Sequence, residues 1–307
     1  MAERSRLIRT ILLTGFLGSG KTTLLNRLIQ YYHRQKTVVL VNEFGQVSID
    51  GQLLVAGNYQ KIELNKGSLL CICVRTDFIS EIEKIAHHLK PELLLIEATG
   101  LADTSELEGM LQLPKIRNAI DLQACICLVD CLNFLKIKDI LRAPAAQIRS
   151  ADLVLLNKID LIGEDQLQQI TTAIREISPG VPVVPTQFAE FPLSQLDQIR
   201  RPAPLTADEI GDGRPDPVTS ITLTADGSFS QQSWHEFLAL VQPYALRLKG
   251  FILVDQTPYQ VDATMDQLKL MAMDSRPAEV DKIQLVLIGR KLSPDAVEEN
   301  FHRCIVL

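Results

Sequence analysis

A glycine-rich stretch near the start of the chain, GFLGSGKT at residues 15 to 22, has the residue types and spacing of a phosphate-binding loop. Its glycines allow backbone conformations closed to other residues, so successive N–H groups can converge on phosphate oxygens. An apolar run precedes this phosphate loop, and apolar residues at helical spacing follow it, which predicts a strand-to-helix connection whose positive dipole end favours an anion. The candidate nucleotide-binding residues of the loop are Gly15, Gly18, Ser19, Gly20, Lys21, Thr22 and Thr23.

Two side chains of the loop and one from a second strand are candidates for hydrolysis chemistry. Lys21 would reach the β and γ phosphates, and the Thr22 hydroxyl would hold Mg²⁺. The apolar run at residues 93 to 96 ends in Glu97, which would support Mg²⁺ directly or through water, and Gly100 would let the backbone approach the γ-phosphate. Lys21 and Glu97 are therefore the candidate catalytic residues.

A third buried-strand pattern, at residues 153 to 156, is followed by Asn157, Lys158 and Asp160. The Asp160 carboxylate can accept two hydrogen bonds from the N1–H and the 2-amino group of guanine, which adenine lacks. Lys158 can lie over the purine plane through its aliphatic stem and help to hold the phosphate loop. These residues, which we call the base segment, predict GTP or GDP as the nucleotide.

Three more residues could hold a soft metal ion such as Zn²⁺. Cys71 and Cys73 precede a predicted helix, and two thiols this close in a loop can converge on one ion. In a strand they would instead lie on one face as small hydrophobic residues, and the sequence leaves both interpretations open. Glu43 follows a buried strand and is expected near the phosphates. Cys125 and Cys127, by contrast, share one face of an apolar strand and are predicted to be core residues.

The composition bounds the class of protein. The chain has 307 residues, of which 46% are hydrophobic and 22% charged, which is typical of a soluble protein with about two domains. A net charge of −6 without a basic stripe argues against nucleic-acid binding. No run approaches the length of a membrane span, and six cysteines are too few for a disulfide scaffold. We therefore expect a cytoplasmic protein with reduced thiols and no nucleic-acid or membrane partner.

The order of the predicted elements indicates two domains. Apolar strands alternate with amphipathic helices over the first two thirds of the chain, which predicts an α/β domain with a mostly parallel sheet. Residues 201–217 are rich in Pro, Gly and Asp, as interdomain linkers are. Several short strands and two helices then predict a small α+β domain. The predicted boundaries are 1–200, 201–217 and 218–307.

Taken together, these motifs resemble the CobW-type metallochaperone GTPases, relatives of the GTPases that assist nickel insertion into hydrogenase and urease. The matching stretches are GFLGSGKTTLLN, VNEFGQVSIDG, LLLIEATGLAD, AAQIRSADLVLLNKIDL, RLKGFILVD and LVLIGRKL. The resemblance implies a P-loop GTPase domain, a CobW C-terminal-type domain, and slow hydrolysis of GTP to GDP with Mg²⁺. It also implies handling of a transition metal, Zn²⁺ or Co²⁺, for a client metalloprotein or for a cofactor pathway such as cobalamin biosynthesis.

The chain departs from the family pattern at two places. The family usually carries a C-x-C-C motif where this chain reads SLLCICVRTD, which leaves Cys71 on a family cysteine and puts Leu69 and Ile72 where others are expected. Many members have a glutamate where this chain has Gln46. The soft-metal site is therefore either rebuilt from Cys71 and Cys73 with help from Glu43, or lost.

Three functions remain as hypotheses. A GTPase that delivers metal predicts that metal affinity depends on the nucleotide state, with slow turnover stimulated by a client or by nucleotide-dependent homodimerisation. A GTP-driven switch that acts on a protein partner predicts hydrolysis without tight metal binding. A kinase that transfers the γ-phosphate to a small molecule is the third, and a guanine-selecting base segment does not suit it.

Overall fold

The computed structural model describes residues 7–42, 59–64, 72–199, 201, 216, 218–265, 267–273 and 282–306. These residues form two compact units, one ending at Asp216 and one comprising the described residues from 218 onwards. Glu43 and Cys71 lie outside the described residues. Among the helices that the structure describes, none combines the length and the apolar character that a membrane span requires.

Within its described residues, the first unit contains a seven-stranded sheet in which all paired strands are parallel. The strand order is β3-β2-β4-β1-β5-β6-β7. The side chains of β1, β4, β5 and β6 are mostly buried and apolar, as expected for a parallel sheet covered on both faces. The strands are β1 (Ile8–Gly15), β2 (Thr37–Asn42), β3 (Tyr59–Leu64), β4 (Leu93–Glu97), β5 (Ile120–Asp130), β6 (Leu153–Asn157) and β7 (Val183–Pro185).

Helices cover both faces of this sheet. The helices are α1 (Lys21–Tyr31), α2 (Ile72–Lys84, continued by a π-helical turn Ile85–Leu89), α3 (Thr104–Leu111), α4 (Pro114–Arg117), α5 (Phe134–Ile137), α6 (Ala143–Arg149) and α7 (Glu164–Ile177). Phe78 of α2 and Leu107 of α3 share one core with β1 and β4, whereas Leu24 and Leu28 of α1 pack into the core on the other face. Because the strands are parallel, their carboxyl ends meet at one edge, where ligands of such sheets bind.

The second unit is built on a mixed sheet with the strand order β12-β11-β10-β13-β8, in which neighbouring strands are antiparallel. One face packs on two helices through an aromatic cluster of Phe229, Trp234, Phe237 and Phe301. The elements are β8 (Thr219–Ala225), β9 (Ser228–Phe229), α8 (Gln231–Val241), β10 (Ala245–Val254), β11 (Thr257–Thr264), β12 (Gln267–Ala272), β13 (Ile283–Gly289), α9 (Pro294–Cys304) and β14 (Ile305–Val306).

The predicted fold class is confirmed by these two sheets, and one local expectation is wrong. Cys73 was expected in a loop before a helix or in a strand, but it lies in the first turn of α2. No glycine or proline lies between Gly67 and Phe78, so nothing in the sequence stops the helix from beginning this early. Cys125 and Cys127 are confirmed as core residues, since both are buried.

The two described ends of the predicted linker both contact the first unit. The Arg201 guanidinium lies 2.6 Å from a carboxylate oxygen of Glu108, a residue of α3. The Asp216 carboxylate accepts hydrogen bonds from the N–H groups of Arg142 and Ala143, at 2.8 and 3.0 Å, where α6 begins. A carboxylate is favourable at a helix N-terminus. The predicted domain boundaries themselves stay a prediction.

Replacement of Gly250 by alanine should destabilise the second unit strongly. Gly250 has a φ of 153°, and a Cβ there would lie 1.9 Å from the Gln284 carbonyl oxygen of β13. We expect a loss of about 2–5 kcal/mol in the free energy of unfolding. Trp234, the single tryptophan of the chain, is buried in this unit, so its fluorescence during denaturant unfolding reports the change.

Gly180→Ala is the matched control, because a Cβ there meets no atom within 4 Å and the residue belongs to the first unit. We expect the Trp234 transition of this variant to stay within about 0.5 kcal/mol of wild type. An unchanged transition in Gly250→Ala would show that the packing of β10 against β13 is not as described.

Candidate functional site

The phosphate loop joins β1 to α1 through backbone conformations that only glycine adopts readily. Gly15, Gly18 and Gly20 have φ values of 134°, 71° and 106°. A side chain would also not fit at Gly15, because a Cβ there would lie 2.3 Å from the Leu128 carbonyl oxygen. The loop geometry therefore requires glycine at these positions.

Lys21 and Ser19 give the loop its charge and a polar group suited to an anion. The Lys21 ammonium is buried and donates hydrogen bonds to the carbonyl oxygens of Gly15, at 2.9 Å, and Phe16, at 3.2 Å. The Ser19 hydroxyl is buried and has no hydrogen-bond partner among the described residues. Buried polar groups are normally paired, so this unsatisfied hydroxyl fits a loop that binds phosphate oxygens.

Thr22 and Glu97 form a hydroxyl–carboxylate pair at the carboxyl edge of the sheet. The Thr22 hydroxyl, in the first turn of α1, lies 3.0 and 3.4 Å from the two carboxylate oxygens of Glu97, at the end of β4. Such oxygen donors are the ligands that Mg²⁺ prefers. The pair therefore fits the predicted Mg²⁺ site, while Thr23 is exposed in the same turn.

Gly100 lies between the phosphate loop and α6. A Cβ on Gly100 would lie 2.6 Å from the backbone nitrogen of Leu17, so its backbone packs directly on the loop. On its other side, the Gly100 carbonyl oxygen accepts a hydrogen bond from the Gln147 amide at 3.1 Å. The neighbouring Thr99 hydroxyl is buried without a partner among the described residues. A shift of the loop at Leu17 would therefore displace the segment that leads into α3.

The side chain of Asn157 connects the base segment to the phosphate loop. Its Nδ2 donates to the Ser19 carbonyl oxygen at 2.8 Å, and its Oδ1 accepts from the Ala189 N–H at 2.9 Å. The sequence placed Asn157 at the nucleotide but did not indicate either contact. Asp160 is exposed just beyond, in a 3₁₀ turn (Ile159–Leu161), where its carboxylate is accessible.

Lys158 has a contact that the sequence did not predict. Its ammonium lies 2.7 Å from a carboxylate oxygen of Asp130, at the end of β5. Asp130 is almost completely buried, so the ion pair fixes the head of the lysine side chain. Asp130 is a polar residue that ends a buried strand, as Glu97 is, and this pattern is the sequence signal for it.

The proposed soft-metal ligands are not brought together by the described part of the chain. Glu43 and Cys71 lie outside it, as does the side chain of Cys73. Within the described residues, the structure contains no group of three or more His, Cys, Asp or Glu residues placed to hold a metal ion.

The thiols of Cys125 and Cys127 in β5, and of Cys131 just after it, are in their unreactive protonated form. Burial raises the pKa of Cys127 to about 12, against a smaller opposing effect of the Lys21 charge. Burial, reinforced by the Asp130 carboxylate, raises the pKa of Cys131 to about 12, and burial also raises the pKa of Cys125. Metal ligation and nucleophilic attack both require the thiolate, so these thiols suit a structural role.

We predict that Cys125, Cys127 and Cys131 resist iodoacetamide at about pH 8. At a pKa near 12, only about one thiol in 10⁴ of Cys127 or Cys131 is ionised, and burial disfavours the Cys125 thiolate as well. Peptide mass spectrometry should find them unmodified in the native protein and fully modified after denaturation. Because the folded chain disfavours the thiolates, their contribution to stability is complete below about pH 9 and is lost as the pH rises towards 12. Rapid labelling of the native protein would contradict the described packing of β5.

Comparison with known proteins gives a consistent result along the chain. The family model described as the CobW/HypB/UreG nucleotide-binding domain matches residues 9–185. The model described as the cobalamin synthesis protein CobW C-terminal domain matches residues 218–305. The first match includes the phosphate loop, Glu97 and the base segment.

Three curated relatives illustrate the range of similarity. The zinc chaperone CobW of Pseudomonas aeruginosa is 30% identical, over 96% of this chain and 90% of that protein. The zinc chaperone YeiR of Escherichia coli is 36% identical over 50% of this chain and 47% of that protein, and the zinc-regulated GTPase metalloprotein activator 1 of Dictyostelium discoideum is 26% identical over 60% and 46%. This chain thus aligns with about half the length of the last two. Because the nucleotide-binding model covers more than half of its residues, the chain belongs to the CobW/HypB/UreG family, as its motifs predicted.

Proposed function

We propose that this chain binds GTP with Mg²⁺ and hydrolyses it slowly to GDP and phosphate. The observation that carries the proposal is the Asn157 side chain, which joins the Ser19 carbonyl oxygen of the phosphate loop to the Ala189 N–H beyond the base segment. Groups suited to phosphate and groups suited to guanine therefore meet at one edge of the sheet. Family membership supports the same activity.

The residues of the site would have different roles in binding and hydrolysing the nucleotide. The phosphate-loop N–H groups and the Lys21 ammonium would stabilise the negative charge that develops on the bridging and γ oxygens during hydrolysis. Thr22 and Glu97 would hold Mg²⁺, which neutralises phosphate charge when bound. The Asp160 carboxylate would accept hydrogen bonds from guanine, and Gly100 would follow the γ-phosphate through its contact with Leu17.

We further propose that the nucleotide state controls the handling of a transition metal, Zn²⁺ or Co²⁺, for delivery to a client metalloprotein or a cofactor pathway. The proposed ligands are Cys71, Cys73 and Glu43. Two of the relatives named above are called zinc chaperones, which favours zinc. We place this activity in the cytoplasm, where thiols stay reduced.

A packed path supports the coupling between nucleotide and metal. Gly100 contacts the phosphate loop at Leu17, and α3 follows four residues later. Leu107 of α3 shares a core with Phe78 of α2, and Cys73 lies in the first turn of that helix. A γ-phosphate that moves Gly100 would therefore act on α3, and through it on the helix that carries a proposed ligand.

Thr22→Ala tests the hydrolytic part of the proposal. The wild type should release phosphate from GTP and much less from ATP, and the variant should be slower by about 100-fold, because it loses an oxygen donor of the Mg²⁺ site. Thr172→Ala is the control, since Thr172 is exposed on α7 and its hydroxyl donates to the Gln168 carbonyl oxygen of the same helix. Equal rates for Thr22→Ala and wild type would contradict the assigned role of Thr22.

Zinc affinity, measured by competition with a chromogenic chelator, tests the metal-handling part. We expect the affinities with GDP and with a non-hydrolysable GTP analogue plus Mg²⁺ to differ by about 10-fold. Cys71→Ala and Cys73→Ala should each abolish tight binding, while the buried thiol variant Cys304→Ala should bind zinc as wild type does. Weak zinc binding that is the same in both nucleotide states would instead favour a GTP-driven switch acting on a protein partner.

A further inference from the structure

The loop at residues 186–190, which follows β7 and which we call the Phe188 loop, exposes a large aromatic side chain next to the base segment. Phe188 is 67% exposed, the most of any large hydrophobic residue in the described part of the chain. Its φ is 51°, and that of Ala189 is 55°. Two consecutive non-glycine residues in the left-handed region are strained, and such strain persists only where surrounding contacts impose it.

Contacts on one side fix the Phe188 loop to β6 and the base segment. The Ala189 N–H donates to Asn157 Oδ1 at 2.9 Å, and Ala189 is completely buried. The Thr186 N–H donates to the Leu156 carbonyl oxygen at 2.7 Å, and the Ile159 N–H donates to the Thr186 carbonyl oxygen at 3.3 Å. The loop is therefore bound to residues on both sides of Asn157.

Arg27 of α1 holds the loop from the other side. Its Nε donates to the Phe188 carbonyl oxygen at 2.9 Å, and its guanidinium lies 2.8 Å from a Glu190 carboxylate oxygen. Because α1 begins at Lys21, within the phosphate loop, the Phe188 loop spans from the base segment to the phosphate-loop helix. Since Asn157 joins the phosphate loop to the Phe188 loop, a nucleotide with its phosphates in the phosphate loop would have its base near this region.

We propose that the Phe188 ring packs on one face of the guanine base while the Lys158 stem covers the other. A purine is flat and has two faces, and the ion pair with Asp130 fixes the Lys158 ammonium so that its methylene stem offers one surface. The exposed, tethered aromatic ring supplies the second. The inference rests on the proposed function, because it needs a guanine nucleotide in the phosphate loop.

This assignment separates affinity from selectivity. Stacking on an aromatic ring strengthens binding of any base, because every base has a π face. Selection of guanine over adenine would still come from the hydrogen bonds that Asp160 accepts. Loss of the ring should therefore lower the affinities for GDP and for ADP by the same factor.

Calorimetric titration with Mg²⁺ and either GDP or inorganic pyrophosphate tests the inference. Phe188→Ala and Phe188→Leu should weaken GDP binding by about 10-fold, and Phe188→Tyr should retain it. Pyrophosphate, which has no base, should bind all variants equally. Tyr244→Ala removes another exposed aromatic ring, 49% accessible and located in the second unit, and should change neither the GDP nor the pyrophosphate affinity.

The outcomes distinguish this inference from the function on which it rests. If wild type binds GDP and both Phe188→Ala and Phe188→Leu bind it equally well, the stacking role is wrong and the proposed function stands. If the Phe188 variants lose pyrophosphate as well as GDP affinity, the residue shapes the phosphate loop, which also overturns the stacking role. If wild type binds no guanine nucleotide, both the proposed function and this inference are wrong.

Discussion

The amide of Asn157 is the interaction on which the geometry of the site depends. It has one donating and one accepting end, and both are used within the protein, on the Ser19 carbonyl oxygen and the Ala189 N–H. Its position also explains a neighbouring residue, because a Cβ on Gly20 would lie 2.4 Å from Asn157 Nδ2. One buried side chain therefore sets the distance between the phosphate loop, the base segment and the Phe188 loop.

A second series of contacts leads from this edge of the sheet through Gly100 to α3. Gly100 is held between Leu17 and Gln147, and the chain then enters α3. Glu108 of that helix binds Arg201, where the predicted linker begins, and burial raises the pKa of Glu108 against the opposing Arg201 charge. Replacing one partner of a buried pair leaves the other charge uncompensated, so this contact holds the start of the predicted linker firmly on α3.

Much of this fold could be predicted from the sequence because its signals are local. Apolar runs gave the strands, the glycine spacing gave the phosphate loop, and polar residues at strand ends gave Glu97 and the base segment. A strand that is buried on both faces is apolar along its length, and the residues after it are polar because ligands bind at the strand ends. Both patterns can be recognised within a short stretch of sequence, without knowing which distant residues are in contact.

The contacts that sequence analysis missed all join residues far apart in the chain. Asn157 and Ser19 are 138 positions apart, and Arg27 and the Phe188 carbonyl are 161 apart, so no spacing rule connects them. The pairing of Lys158 with Asp130 depends likewise on the neighbouring positions of β5 and β6. The early start of α2 was missed for another reason: helix ends are set by small differences in local free energy.

The most direct test of this account compares the affinities of wild type and Asn157→Ala for GDP, ADP and pyrophosphate in the presence of Mg²⁺. If Asn157 organises a guanine-nucleotide site, wild type should prefer GDP to ADP by at least about 100-fold, because unpaired polar groups reject the wrong base. Asn157→Ala should lose about 10-fold or more in affinity for both GDP and pyrophosphate, because the phosphate loop loses its anchor at Ser19. Equal affinity of wild type for ADP and GDP, or unchanged binding by the variant, would contradict the account.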